Sequence, residues 1–166
     1  MKPLFSCVLL CMSTLLFAAN LIPNGDLKNP AGEKPYLRKF MKGGKDSPNL
    51  KTSFVVKEDG GSILLESSEA DGIAEVNYSR LPGVEAGKKY YLCYQFTPVS
   101  FGAGARTSCR IAFFDAAGKH LKNDFSPAHA VREAERQDFI HSFTAPAGTA
   151  RVNLTPWFSG VQKTEV

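Results

Sequence analysis

PGVEAGKKYYLCYQF, residues 82–96, decides the fold. Pro82, Gly83 and Gly87 punctuate its first half as a turn. The run 89–97 that follows is dense in Tyr and Phe, residues that suit a pleated, half-buried surface, and it reads as a strand. The same grammar repeats outward in both directions. Short strand segments stand at 53–57, 62–67 and 74–79 before it, and at 107–114, 139–144 and 150–156 after it. Asp115-Ala116-Ala117-Gly118 and Pro146-Ala147-Gly148 provide turns between them. Residues 20–27 begin apolar and turn at Pro23-Asn24-Gly25, and 29–50 reads as a long loop tethered by Tyr36, Leu37 and Phe40. Many short strands with Gly and Pro turns predict an all-β sandwich. One helical insertion is expected over 126–136, where Ser126 can cap, Pro127 suits the first turn and the following residues favour helix.

The composition fits one such domain. The chain has 166 residues, 43% hydrophobic and 22% charged, which argues against disorder. Twenty Lys and Arg against sixteen Asp and Glu leave a formal charge of +4. A charge this mild, without a basic run, gives no ground for a nucleic-acid partner.

Met1-Lys2 precedes an apolar run over residues 3–19 that is broken by Ser6, Ser13 and Thr14 and ends in Ala18-Ala19. One basic residue, a short apolar core and a small-residue end are the marks of a secretory signal peptide. The run is short for a membrane span, which needs about 20 apolar residues. The expectation is therefore a signal peptide at 1–19, an uncleaved N-terminal anchor being the alternative, with one domain over 20–166, no membrane span in the mature chain, and a secreted, periplasmic or cell-surface location.

Export would remove Cys7 and Cys11 and leave Cys93 and Cys109. A hairpin centred on position 101, in the loop SFGAGA, sets these two opposite each other. They are then either a cross-strand disulfide or a free pair. His120, His129 and His141 lack metal-ligand spacing to any cysteine or to each other, so no metal site is expected. Asp115, Asp124, Glu133 and Glu135 fall in a turn, a loop and the expected helix, with nothing to set two of them across a glycosidic bond. No Gly-x-Ser-x-Gly or phosphate-binding glycine loop is present. An enzyme is not expected. Asn77-Tyr78-Ser79 and Asn153-Leu154-Thr155 match the N-glycosylation pattern.

Four segments carry a family resemblance. NLIPNGDL, PGVEAGKKYYLCYQF, CRIAFFDAAGK and FTAPAGTARVNL occur in an order that resembles family 4/9-type carbohydrate-binding modules. The resemblance implies a jelly roll similar to galactose-binding domains, with a sugar cleft across one sheet. It further implies a non-catalytic module that binds polysaccharide or oligosaccharide and targets an attached catalytic or anchoring domain. Two departures stand out. The family's closing strand often helps hold a structural calcium, whereas here it is expected to be cut short near Val166, either as in a fragment or as an unusually short closing strand. Lys28 also occupies a position where the family commonly has an acidic residue. No cofactor is therefore assigned, and a structural Ca²⁺ stays an open alternative.

Strand alternation selects candidate binding residues. In 150–156, Val152 and Leu154 belong to the core, so Arg151, Asn153 and Thr155 share the other face, with Trp157 just beyond the strand end. In 107–114, Cys109, Ile111 and Phe113 form the apolar set, leaving Arg110, Ala112 and Phe114 opposite. The resemblance implies a cleft Arg where Arg110 stands. Tyr78 and Arg80 are expected on the cleft face too, while Tyr90 and Tyr94 suit either face. A saccharide site needs an aromatic plane for the C–H face of a pyranose and planar polar groups for its hydroxyls. Tyr78, Arg80, Arg110, Arg151, Asn153, Thr155 and Trp157 provide that chemistry, or are ordinary outer-face residues of a sandwich that serves structure or protein contact. The arginines on this face either suit an anionic glycan or pair with surface acids.

Overall fold

The computed structural model describes residues 21–22, 36–41, 50–57, 60–67, 72–131 and 135–166. The expected export segment, most of the opening 20–27 including its turn, Lys28 and Glu133 lie outside the described residues. The strands are β1 (Tyr36–Met41), β2 (Leu50–Lys57), β3 (Gly60–Ser67), β4 (Gly72–Leu81), β5 (Lys89–Phe114), β6 (His120–Phe125), β7 (His129–Ala130), β8 (Gln137–Thr144) and β9 (Arg151–Glu165). All pairings are antiparallel, as expected for an all-β sandwich.

Two strands run through both layers. The first part of β5 pairs with β8, from Lys89↔Thr144 to Phe96↔Gln137, and its later part pairs with β6, β7 and β9. The first part of β9 lies between β4 and β5, and its last residues lie between β3 and β5. A front layer results, in the order β6/β7, β5, β9, β4, β1. The back layer runs β8, β5, β9, β3, β2.

The crossing is made where the β5–β9 register breaks, between Phe101↔Val161 and Arg106↔Ser159. Bends and bulges are how strands turn such corners. Gly160 has φ +66°, and a Cβ there would lie 3.1 Å from Ala105 Cα. The corner thus needs glycine on β9 for both backbone conformation and close approach.

The core fills the space between the layers. Ala74, Val76, Leu81, Cys109, Ile111, Phe113, Val152, Leu154 and Phe158 come from the front, and Ile63, Leu65, Leu92, Phe96, Phe139 and Phe143 from the back. Aromatic contacts cross between them: Phe96 meets Phe158 edge-on at 5.6 Å between centroids, and Phe113 meets Phe143 at 5.8 Å. Such pairs add to area burial. Tyr90 and Tyr94, which suited either face, both pack against this core. The Tyr90 hydroxyl accepts the Glu85 N–H at 2.8 Å, and the Tyr94 hydroxyl pairs with Thr107 Oγ1 at 2.8 Å. Burial raises the Tyr94 hydroxyl well above the usual tyrosine range.

Several expectations are corrected. The segment 29–50 is not all loop, since β1 pairs along β4 from Tyr36↔Asn77 to Met41↔Gly72. Residues 126–131 are not helical. Ser126 Oγ accepts the Cys109 N–H at 2.9 Å instead of capping a helix, His129 pairs with Thr107, and the Val131 N–H reaches the Ala105 carbonyl. Tertiary pairing overrides local helix preference; residues 132–134 lie outside the described residues. The hairpin centred on 101 is a single bent strand. Cys93 pairs with Ile140 on β8 and Cys109 with Pro156 on β9, so the two never face each other, and both thiols are free. The strand expected over 150–156 does not end at Pro156 but continues to Glu165.

Candidate functional site

The outward side of the front layer is built in rows across β6, β5, β9 and β4, because residues directly opposite in an antiparallel pair share a face. One row is Phe125, Arg110 and Thr155. The next, toward the strand ends, is Asn123, Ala112 and Asn153, and beyond it Phe114 faces Arg151. On the other side of the first row, Ser108, Trp157 and Glu75 stand in line. Of the seven expected site residues, Arg110, Arg151, Asn153, Thr155 and Trp157 are therefore brought to one face. The core alternation of Cys109, Ile111 and Phe113 against Val152 and Leu154 holds, and it is what turns this set outward.

Arg110 and Thr155 form the centre. Thr155 is only 1% exposed, and its Oγ1 is buried without a hydrogen-bond partner. Arg110 is half-buried, and its Nε is likewise buried without a partner. A buried polar atom left unpaired costs about 1–3 kcal/mol, and such atoms are uncommon away from places that take water or ligand. Phe125, across the pair from Arg110, is 60% exposed. An open aromatic ring thus adjoins two unmet polar groups.

Arg80 reaches the face by a different route. The β4–β9 register slips between Tyr78↔Leu154 and Leu81↔Val152, so Ser79 and Arg80 together oppose Asn153. Arg80 has φ +58°, a left-handed backbone that a non-glycine side chain seldom adopts. Its N–H donates to Asn153 Oδ1 at 2.6 Å, which holds the bulge. Ser79 Oγ donates to Asn77 Oδ1 at 2.8 Å. The bulge also overturns one expectation: Tyr78 does not share the face of Arg80. It pairs with Leu154, packs against the core, and burial raises its hydroxyl to about 12.

Trp157 is mid-strand and half-buried, not at a loop edge. Its carbonyl accepts from Thr107 Oγ1 at 3.0 Å. Ser108, beside it in the row, is buried and donates to the Ser126 carbonyl at 2.9 Å. Glu75, the acid of this row, is buried, and β1 sets Arg38 in register with it.

Phe125, Asn123, Ser108 and Glu75 were not expected at the site. The signal for Phe125 was the Asp115–Gly118 turn: a hairpin closed there returns Phe125 opposite Arg110. That turn is stapled by the Lys119 N–H donating to Asp115 Oδ1 at 2.8 Å.

The face is electropositive. Arg80 and Arg151 are exposed and Arg110 half-buried, and no ion pair joins any of the three to a carboxylate of the described residues. Among the described residues there is also no cluster of three His, Cys, Asp or Glu able to hold a metal ion.

No protein-family model matches the chain, and no curated protein matches it in sequence. Solved structures do match in fold. The enzymatically active domain of tailspike protein 4 from bacteriophage CBA120 superposes with a TM-score of 0.61 at 14% identity, over 85% of this chain and 19% of that one. The CBM22-1–GH10 modules of Clostridium thermocellum xylanase 10B, complexed with xylohexaose, superpose with a TM-score of 0.51 at 12% identity, over 78% of this chain and 24% of that one. The chain thus spans about a fifth and a quarter of the lengths of these two matches.

Proposed function

We propose that this chain is an exported, non-catalytic module that binds saccharide on the outward side of its front layer. The observation that carries the reading is the row Phe125, Arg110, Thr155. It combines an exposed aromatic ring with a buried guanidinium nitrogen and a buried hydroxyl that lack partners. A pyranose offers a C–H face to a ring and hydroxyls to such groups. Trp157, Asn153, Arg80 and Arg151 extend the surface along neighbouring rows. The family 4/9 resemblance supports this reading. So does the fold-level likeness to a xylanase chain that contains a carbohydrate-binding module and was crystallised with xylohexaose. In this reading residues 1–19 direct export, the module needs no cofactor, and it keeps an attached catalytic or anchoring region near its polysaccharide.

Affinity electrophoresis of the protein through gels containing a panel of soluble polysaccharides tests the proposal. Retardation by at least one, reduced in Arg110→Ala and Trp157→Ala, is the expected result. Free migration through every gel would overturn it.

A second reading has its own observation. Tyr91 and Ile140, on the outer side of the back layer, are 65% and 64% exposed and flank Cys93. Exposed apolar side chains grouped this way favour a protein-contact sandwich. Binding to no glycan, together with concentration-dependent association that Ile140→Ser abolishes, would favour it.

A further inference from the structure

We infer that the saccharide taken by the front face carries an anionic group, a carboxylate or a sulfate, received by Arg110 with Arg80 and Arg151. The inference rests on the saccharide reading above and names the chemical class of its ligand.

The first argument is charge. Three guanidiniums come to one face from three strands: Arg80 from β4, Arg110 from β5 and Arg151 from β9. None is paired with a carboxylate of the described residues. Arginine forks match the paired oxygens of carboxylate and sulfate better than they match single hydroxyls.

The second is hydrogen-bond polarity. The acceptor oxygens of the three face asparagines are already engaged, Asn153 Oδ1 by the Arg80 N–H, Asn77 Oδ1 by Ser79 Oγ and Asn123 Oδ1 by His120 Nε2. Their amide NH₂ groups are left pointing to other partners, and guanidiniums only donate. With Glu75 the one carboxylate placed in its rows, the face offers an excess of donors. A hydroxyl both gives and takes a hydrogen bond, whereas a carboxylate or sulfate ester only takes. The acceptor-only group fits this inventory.

The third is the bulge. A left-handed backbone at a non-glycine residue costs about 1–3 kcal/mol and persists where surrounding structure holds it. Here the Asn153 side chain does so, and the result is one more guanidinium on the face than regular pairing would bring.

The test uses matched polysaccharides that differ in charge. One pair is polygalacturonate and its fully methyl-esterified form; a second is chondroitin 4-sulfate and chemically desulfated chondroitin; neutral arabinoxylan completes the set. Expected is retention by the polygalacturonate or the chondroitin 4-sulfate, whichever pair responds naming the group. Removing the tested group, by esterification or desulfation, should weaken binding roughly 10- to 100-fold, and raising the salt should weaken it as well. Arg80→Gln and Arg151→Gln, at exposed positions that leave the fold intact, should each weaken binding several-fold, and Arg110→Lys should weaken it more despite keeping its charge. Lys88→Gln and Lys119→Gln, off this face, should not. Equal, salt-insensitive binding to arabinoxylan and the charged polymers overturns the inference and leaves the saccharide reading standing. Binding that falls with the lysine variants as much as with the arginine variants overturns it as general charge attraction. Binding to no polymer in the set or in the wider panel sinks both.

Discussion

Arg110 and Thr155 stand directly opposite each other on β5 and β9, and each buries one polar atom that meets no partner. A fold optimised for stability alone would place an apolar pair in that row. In the saccharide reading, the pair is a place where stability and binding oppose each other.

Replacing Thr155 by Val separates the two. The variant keeps the shape and removes the unpaired hydroxyl, so the free protein should be unchanged or more stable by about 1 kcal/mol. That corresponds to a melting temperature higher by about 2–4 °C for a domain of this size. Saccharide affinity should fall at the same time. A melting curve with a binding isotherm checks both, and a destabilised variant would show that the hydroxyl is paired after all.

Phe125→Ala addresses the ring. At 60% exposure the side chain gives the core little, so stability should stay within about 0.5 kcal/mol of the parent. Loss of a stacking surface should weaken saccharide binding by about 0.5–1.5 kcal/mol, or up to roughly tenfold. Calorimetric titration with the best-bound polysaccharide reads this directly.

Gly160→Ala tests the corner. Its φ of +66° and the 3.1 Å approach to Ala105 Cα both oppose a Cβ. A loss of about 1–3 kcal/mol is expected in denaturant unfolding. Gly104→Ala has the same sign of φ but nothing near its Cβ, so it should cost less.

The thiols should behave oppositely. Cys93 is exposed and should react with a maleimide in the folded protein, whereas buried Cys109 should react only after denaturation, as peptide mapping would show. Burial raises the Cys109 thiol from 9.0 to about 12 and the Tyr78 hydroxyl from 10.0 to about 12. The folded chain thus holds these protons more tightly than the unfolded chain does. The stability they contribute is complete below about pH 9 and is lost as pH rises toward 12. Urea midpoints that stay constant across this window would contradict the assignment.

Much of the site face was legible because β5 and β9 are regular over Cys109–Phe113 and Val152–Leu154. Unbroken alternation there sorts core from surface. Tyr78 was misread because a bulge leaves no mark in the hydropathy pattern: Ser79 and Arg80 look like any two strand residues until Asn153 is known to hold them. The SFGAGA segment reads equally well as a hairpin turn or as a bend, and what decides is a glycine on another strand, Gly160. β6 was missed because HLKNDF has no apolar alternation, as an exposed edge strand need not. The helix expected over 126–136 failed for a related reason, since Ser126 and Val131 meet partners far away in sequence.

The passage of β5 and β9 from one layer to the other has a mechanical side. Neither layer can peel away as a unit, because two of its strands are covalently continuous with the other. Tension along β9 would be shared by β4 and β5 at one end and by β3 and β5 at the other. A fold built in this way loads its strands in shear and should yield all at once when pulled.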